Sequence, residues 1–326
     1  MNLSYYRKYF SDIADEFSEY SEEVRKRYGG SKFHWKLDMV WSLIRYGARP
    51  VDYNRFEFYR KSGRERSRYL TYYKYARIMK YTRRVLAGQN NVCANKAVEY
   101  EVYKDFINRP WFIADKDTTP DTIKDFIAKQ GKVIAKDVKG EQGHSVLLLD
   151  KDSDLAPLMS ELRDHTYVVE KALQNCKEFE EVNPGSLNTL RCVSMIDSEG
   201  NPHILSIILR AGVDAYVDNW GSGGIGYVAD IDTGIVAGYG VDKKNGKHVY
   251  HPSTNKNMMG FKIPRYEEVK EMVRKMAVVD KRCRYVGWDV AVTPDGIELI
   301  EMNCPCGHDM LQAFGEPIGD TIKRLW

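Results

Sequence analysis

The sequence predicts an α+β protein preceded by a helical, basic region, and three observations carry that expectation. Beyond residue 91, short β-rich runs interleave with helix-patterned stretches. Before it, apolar and aromatic residues recur at helical spacing among charges of both signs. Near the C-terminus, Arg284–Thr293 and Ile297–Asn303 are β-rich runs joined by Pro294-Asp-Gly296, a hairpin signal.

Taken in order, residues 3–28 read as a helix ended by Gly29-Gly30-Ser31. His34–Tyr46 reads as a second, ended by Gly47-Ala-Arg-Pro50. Residues 65–87 read as a further basic helix stopped by Gly88. Gln89-Asn90-Asn91 has the composition of a linker, so a boundary is expected after residue 90. Strands are expected at 132–137, 144–149, 166–171, 190–196, 203–210, 226–231, 284–293 and 297–303. Helices are expected at 95–107, 119–130, 153–163 and 265–282.

The chain of 326 residues is long enough for more than one domain, and 43% hydrophobic with 29% charged residues is ordinary for a soluble globular protein. No apolar run approaches the roughly 20 residues of a membrane span, and the N-terminus lacks the features of a signal peptide. Six cysteines without paired metal spacing read as free thiols, which suits a cytoplasmic location. The net charge of +3 hides an asymmetry, because residues 1–90 hold 20 Lys/Arg against 10 Asp/Glu. Such a segment can meet an anionic membrane surface, or it can pack as a helical cap on a more acidic catalytic part. The cap is the favoured reading, with peripheral contact to the inner membrane face as the alternative. No nucleic-acid motif occurs, and no nucleic-acid partner is expected.

Three segments point to chemistry. In the C-terminal hairpin, a three-residue loop pairs Thr293 with Ile297 and places Asp289 opposite Glu301, with Asn303 on the same face. Gly287, Ala291, Ile297 and Leu299 would complete that face. Two facing carboxylates repel, and a hard cation such as Mg²⁺ reverses the sign; a solvated hairpin with chance acidic residues is the alternative. Lys132-Val-Ile-Ala-Lys136 leads into a turn with Gly140 and Gly143, whose backbone N–H groups can approach phosphate while Lys136 supplies charge. An ordinary glycine turn gives the same pattern. Thr166–Glu170 exits through Lys171, Ala172 and Leu173, whose backbone can meet a flat base, with Glu178 further on to hold ribose hydroxyls.

These pieces resemble the ATP-grasp superfamily in order and spacing over about residues 91–310: Lys96 after Asn95, Lys136 with its glycine turn, Glu170-Lys-Ala-Leu then Glu178, and Asp289 with Glu301-x-Asn303. A closer likeness, to the sugar-transfer-associated ATP-grasp family of bacterial polysaccharide loci, rests on Asn183-Pro-Gly-Ser-Leu-Asn-Thr-Leu-Arg191, Asp218-Asn-Trp-Gly-Ser-Gly-Gly224, Ile231-Asp-Thr-Gly234 and Gly287-Trp-Asp289. The stretch Asp52–Phe58 is similar to that family's N-terminal region.

The resemblance implies two α+β lobes sandwiching ATP, the first over residues 91–165 and the second over 166–326. Lys96 and Lys136 would bind phosphates, with Gly140 and Gly143 in the loop that closes over them. Glu170 and the backbone of Lys171, Ala172 and Leu173 would take the adenine, and Glu178 the ribose. Asp289, Glu301 and Asn303 would hold one or two Mg²⁺ ions, and Arg191 and Arg210 would serve catalysis, a structural salt bridge being the alternative for each. Asp218 and Asn219 are candidate acceptor contacts. The implied activity is an ATP-dependent carboxylate–amine ligase working through an acyl phosphate on a polysaccharide or its precursor. The alternative is a kinase of the same fold acting on a hydroxyl.

Overall fold

The computed structural model describes residues 3–88, 91–140, 146–213, 220 and 223–326, with side chains from residue 13 onward. Helices α1 (Leu3–Tyr28) and α2 (Lys32–Tyr46) pack on each other across the Gly29-Gly30 turn. Ser31 caps α2 by accepting from the Phe33 N–H, and Gly47 closes it in the left-handed conformation at φ 69°. Helix α3 (Pro50–Arg55) follows.

The helix expected over 65–87 is two helices, α4 (Gly63–Ser67) and α5 (Tyr72–Val85). The break has a tertiary cause. The Gln312 side-chain amide accepts from the Leu70 N–H and donates to the Leu70 carbonyl, both at 2.9 Å, while Asp52 accepts from the Tyr72 N–H at 2.8 Å. These long-range partners take backbone groups that a continuous helix would have paired internally.

Helix α6 (Lys96–Val102) and a 3₁₀ turn at Lys104–Phe106 occupy the expected 95–107 helix. They lead to β1 (Trp111–Ala114), a four-residue strand that the sequence reading omitted. Then come α7 (Pro120–Gln130), β2 (Val133–Asp137), β3 (Val146–Leu149), α8 (Ala156–Glu161) and β4 (Tyr167–Lys171). The strands form an antiparallel sheet in the order β1-β4-β2-β3. Strand β4 is therefore interior to this first sheet and does not start the second lobe, so the 165/166 boundary falls too early. The chain leaves the small sheet only after Lys171.

Helix α9 (Lys177–Glu180) connects to β5 (Thr189–Ile196), β6 (Pro202–Ala211), β7 (Ile225–Ala229), β8 (Gly240–Val241) and β9 (Lys247–His248). Helix α10 (Tyr266–Ala277), the hairpin β10 (Tyr285–Val292) and β11 (Ile297–Asn303), and α11 (Gly319–Leu325) complete the chain. The second sheet is antiparallel throughout, ordered β11-β10-β5-β6-β7-β8-β9.

Each sheet buries its faces differently. The small sheet packs Val133, Ala135, Leu149 and Val169 against Ile123, Ile127 and Leu158 of α7 and α8. Its other face keeps Leu148 49% exposed opposite Ile134, so that face is left for something else. The large sheet is covered twice. One face packs Leu190, Ile207, Leu209 and Val290 on Val269, Val273 and Met276 of α10. The other packs Val193, Met195, Ile208 and Tyr285 on Leu70, Tyr75 and Ile78 of the N-terminal region and on Ile322 and Leu325 of α11. The basic N-terminal region thus packs as a cap, tied down by Asp52 to His308 at 2.9 Å and by Tyr69 to the Gly315 carbonyl at 2.8 Å.

Candidate active site

The β10–β11 hairpin pairs Asp289 with Glu301 as expected, by a different route. Val292, not Thr293, pairs with Ile297, which shifts the register by one; a bulge at Ile300 shifts it back before Glu301. Between turn and bulge the faces are therefore exchanged. Leu299 lies with Trp288 and Val290 in the core, and it is Glu298 that shares the face of Ala291 and Asp289.

Asp289 is buried between two strands of the large sheet. Arg191, its register partner on β5, donates from Nε at 2.5 Å and from Nη2 at 3.1 Å, and Arg210 of β6 stands 3.1 Å away. Burial opposes the charge on Asp289, yet these two guanidiniums hold its pKa below the ordinary carboxylate value. Asn303 donates to the same carboxylate at 3.4 Å. Gly287 is required here, because an added Cβ would lie 2.6 Å from the Cys306 sulphur.

Glu301 is more open, its side chain 41% exposed, with Lys96 Nζ 3.4 Å away. Lys96 also donates to the Gly140 carbonyl at 2.5 Å, so it links the glycine turn of the small sheet to the hairpin of the large one. One turn along α6, Glu99 is buried and accepts from the Met302 N–H at 2.6 Å. Burial, and Glu301 nearby, push its carboxyl up to about 8.

Lys136 reaches Glu170 at 2.6 Å. Arg109 binds the same carboxylate at 2.7 Å and Glu298 at 3.0 Å, and Tyr100 donates to Glu170 as well. Burial would push Glu170 up, but Arg109 and Lys136 outweigh it and hold the pKa down to about 2. The Glu170 carboxylate is thus taken by protein cations and does not face an open base site. Of the neighbouring backbone donors, Lys171 N–H binds the Pro110 carbonyl and Ala172 N–H binds the Lys132 carbonyl, so neither is open to a ligand.

A cavity of about 890 Å³ opens beside this strand exit, lined by Ile134, Leu148, Lys171, Ala172, Leu173, Glu180 and the hairpin turn 293–295. Ile134 and Leu148 are cross-strand partners on the face that carries Lys136, an apolar pair suited to a flat ring. Glu180, not Glu178, lines this cavity. Glu178 lies along a separate one of about 740 Å³ with Asp232, Lys262 and Arg265. The two acidic residues sit in the same short helix, where a two-residue step changes face.

A third, smaller cavity of about 110 Å³ is lined by Arg191, Arg210, Trp220, Cys306 and Asp309. Arg55 of α3 stacks over the Trp220 ring at 4.5 Å, so the N-terminal cap borders it. Gly143, Asp218 and Asn219 lie outside the described residues.

The sequence reading missed Glu99, Arg109, Glu180 and Glu298. Glu99 had a signal, since it stands three residues from Lys96 on one helix face. Arg109 and Glu298 had none, because they meet only when β1, β4 and the hairpin come together.

The donor set offered by Glu301, Asn303 and Asp289 is all oxygen and suits a hard divalent cation. Asp289 would share its oxygens with Arg191 and Arg210, so Glu301 and Asn303 are the more available ligands.

A search of curated proteins found no sequence match. Among solved structures, the chain is similar to D-alanyl-alanine synthetase A from Vibrio cholerae (14% identity, TM-score 0.44, covering 72% of this chain and 63% of that one). It is also similar to the ATP-grasp ligase PsnB bound to a minimal precursor (14%, 0.46, 74% and 63%) and to N5-carboxyaminoimidazole synthetase from Staphylococcus aureus with ADP (13%, 0.45, 68% and 46%). The chain thus spans less than two thirds of the length of these proteins. A family model described as sugar-transfer associated ATP-grasp matches residues 80–317, nearly three quarters of the sequence and all of the site built above. The chain belongs to the sugar-transfer associated ATP-grasp family.

Proposed function

We propose that the chain is an ATP-dependent carboxylate–amine ligase that modifies a polysaccharide or its precursor. The observation that supports it most is Lys96, which joins the glycine turn to Glu301 and so sets phosphate-binding cations beside carboxylates that suit Mg²⁺. ATP would lie with its base against Ile134 and Leu148 near Leu173, and with its phosphates toward Lys136 and Lys96. Glu301 and Asn303, with Asp289, would hold Mg²⁺, which supplies charge neutralisation at the β- and γ-phosphates.

The acceptor carboxylate attacks the γ-phosphorus and ADP leaves. The resulting acyl phosphate is attacked by an amine, which forms the amide, loses a proton and releases phosphate. Arg191 and Arg210 both pair with Asp289 and both line the wall of the smaller cavity. Guanidinium forks at that wall suit an oxyanion, first a carboxylate and then a developing acyl phosphate. The family's association with sugar transfer supports a glycan acid or amine as one co-substrate. Among the described residues no helix is long and apolar enough to cross a membrane.

The test is a co-substrate screen of uronic acids and nucleotide sugars against amino acids, reading both ADP and free phosphate. A ligase releases both only when acid and amine are present together. ADP without free phosphate, on a hydroxyl acceptor alone, would replace the ligase reading with a kinase.

A further inference from the structure

Cys93, Cys283 and Cys304 come from the linker before α6, the turn before β10 and the end of β11, and no local spacing relates them. Their sulphurs nevertheless lie within 4.8 Å of one another, with Cys93 and Cys283 3.9 Å apart. A tetrahedral zinc ion with Zn–S bonds of roughly 2.3 Å sets its sulphurs about 3.8 Å apart, so little movement separates this cluster from a ligand set. Tyr103 is fully buried in the same core cluster as Cys283, with Cys93 and Cys304 packed against that cluster, and its hydroxyl has no hydrogen-bond partner among the described residues. An orphaned buried hydroxyl is costly, and an ion with a bound water beside it offers a partner.

We propose that these three thiols form a soft-metal site for Zn²⁺, a structural clasp on the strand end that carries Asn303. Binding releases the thiol protons to solvent as three Zn–S bonds form, and a water completes the set. The site is separate from the hard-cation site, because sulphur selects Zn²⁺ and oxygen selects Mg²⁺.

The experiment uses the full chain, reduced and metal-stripped, titrated with Zn²⁺ against a chromophoric chelator and with Co²⁺ as a spectroscopic probe. One Zn²⁺ per chain is expected, with sulphur-to-cobalt charge-transfer bands. Cys93→Ser should weaken binding by at least the 10–100-fold that loss of an outer partner costs, and Cys283→Ser likewise. Cys93 is only partly buried, so its variant guards against misfolding of the second. Absence of the cobalt bands in the folded chain, or Zn²⁺ binding unchanged in Cys93→Ser, would overturn the site. So would a disulfide between these cysteines in aerobically purified protein that takes up no metal on reduction.

A different observation carries a second inference. Helix α2 exposes Phe33, Leu37, Val40, Trp41 and Ile44 at 69, 54, 40, 55 and 74%. These positions fall on one face, with Lys36 on one border and His34 and Arg45 on the other. The C-terminal end of α2 meets the start of α5 at Gly47, whose carbonyl accepts from the Tyr73 N–H at 3.1 Å, and α5 exposes a stripe of Tyr73, Arg77, Lys80 and Arg84. An exposed aromatic and aliphatic face on one helix and an exposed row of cations on the helix joined to its end match an anionic lipid surface, with rings at headgroup depth and cations at phosphate. A second copy of the chain would instead set these cations against each other.

We infer that α2 and α5 seat the packed cap on an anionic membrane. The full chain should sediment with phosphatidylglycerol vesicles at 10 mM salt and lose most of that binding at 150 mM, as the Debye length falls from roughly 30 to about 8 Å. Trp41→Ser with Ile44→Ser should abolish binding. No vesicle binding at low salt, or a concentration-dependent dimer removed by the same pair of changes, would overturn the inference.

Discussion

Two ionic clusters join the small sheet to the large one, and they differ in whether protein groups alone satisfy them. Around Arg109, two carboxylates and a tyrosine hydroxyl are buried and mutually paired, and the partly buried Lys136 joins them. Around Lys96, the Glu301 carboxylate is part-exposed at 3.4 Å and Asn303 is half-buried at the strand end. The first cluster is closed and holds the sheets in position; the second has coordination to spare, and that is where a ligand gains most. Lys136 belongs to both descriptions, since its partner Glu170 is in the closed cluster while its strand face also carries Ile134, which lines the larger cavity.

The comparison is broken most severely at Arg109. Arg109→Met should strand Glu170 and Glu298 in the interior and cost about 3–5 kcal/mol, measured by urea denaturation. A loss under about 1 kcal/mol would show that the cluster is not a unit. Next in size is Glu301→Gln, expected to leave the melting temperature nearly unchanged while turnover of Mg·ATP falls about 100-fold or more. Near-normal activity would remove Glu301 from the cation site. Lys136→Ala comes third: ATP should bind about tenfold more weakly or worse, with adenosine little affected. Equal weakening of both would make Lys136 purely structural.

The smallest effect in any pH unit is the titration of two carboxyls with opposite signs. Glu99 keeps its proton up to about 8 when folded against an ordinary value of 4.5. The stability it lends is complete below about 4.5 and is lost as pH rises through 8, at no more than one proton's slope, roughly 1.4 kcal/mol per pH unit. Glu170 is held at about 2, so its contribution is present above 4.5 and lost as pH falls toward 2. Glu99→Gln should flatten the alkaline arm alone, as read from denaturant midpoints between pH 5 and 9. An unchanged alkaline arm in that variant would exclude a protonated Glu99.

The pairing of Asp289 with Glu301 was legible because strand alternation and a short turn are local rules. The one-residue shift at the turn was not, and only the bulge at Ile300 restored the pairing. Glu178 was chosen by distance along the chain, yet Glu180 reaches the cavity, because the pitch and direction of α9 are decided by what it packs on. The break between α4 and α5 was hidden for a similar reason, since Gln312 stands 242 residues from the backbone it binds.

Local pattern alone determined that residues beyond 91 alternate strands with helices, that a hairpin brings Asp289, Glu301 and Asn303 to one strand face, and that a basic aromatic region precedes them. Those features follow from backbone periodicity and turn chemistry, which act over a few residues. Tertiary structure decided which carboxylates are neutralised and which remain available, which sheet owns β4, and that Cys93, Cys283 and Cys304 meet. Charge compensation and burial depend on neighbours brought in from distant parts of the chain, and spacing along one segment carries no information about them.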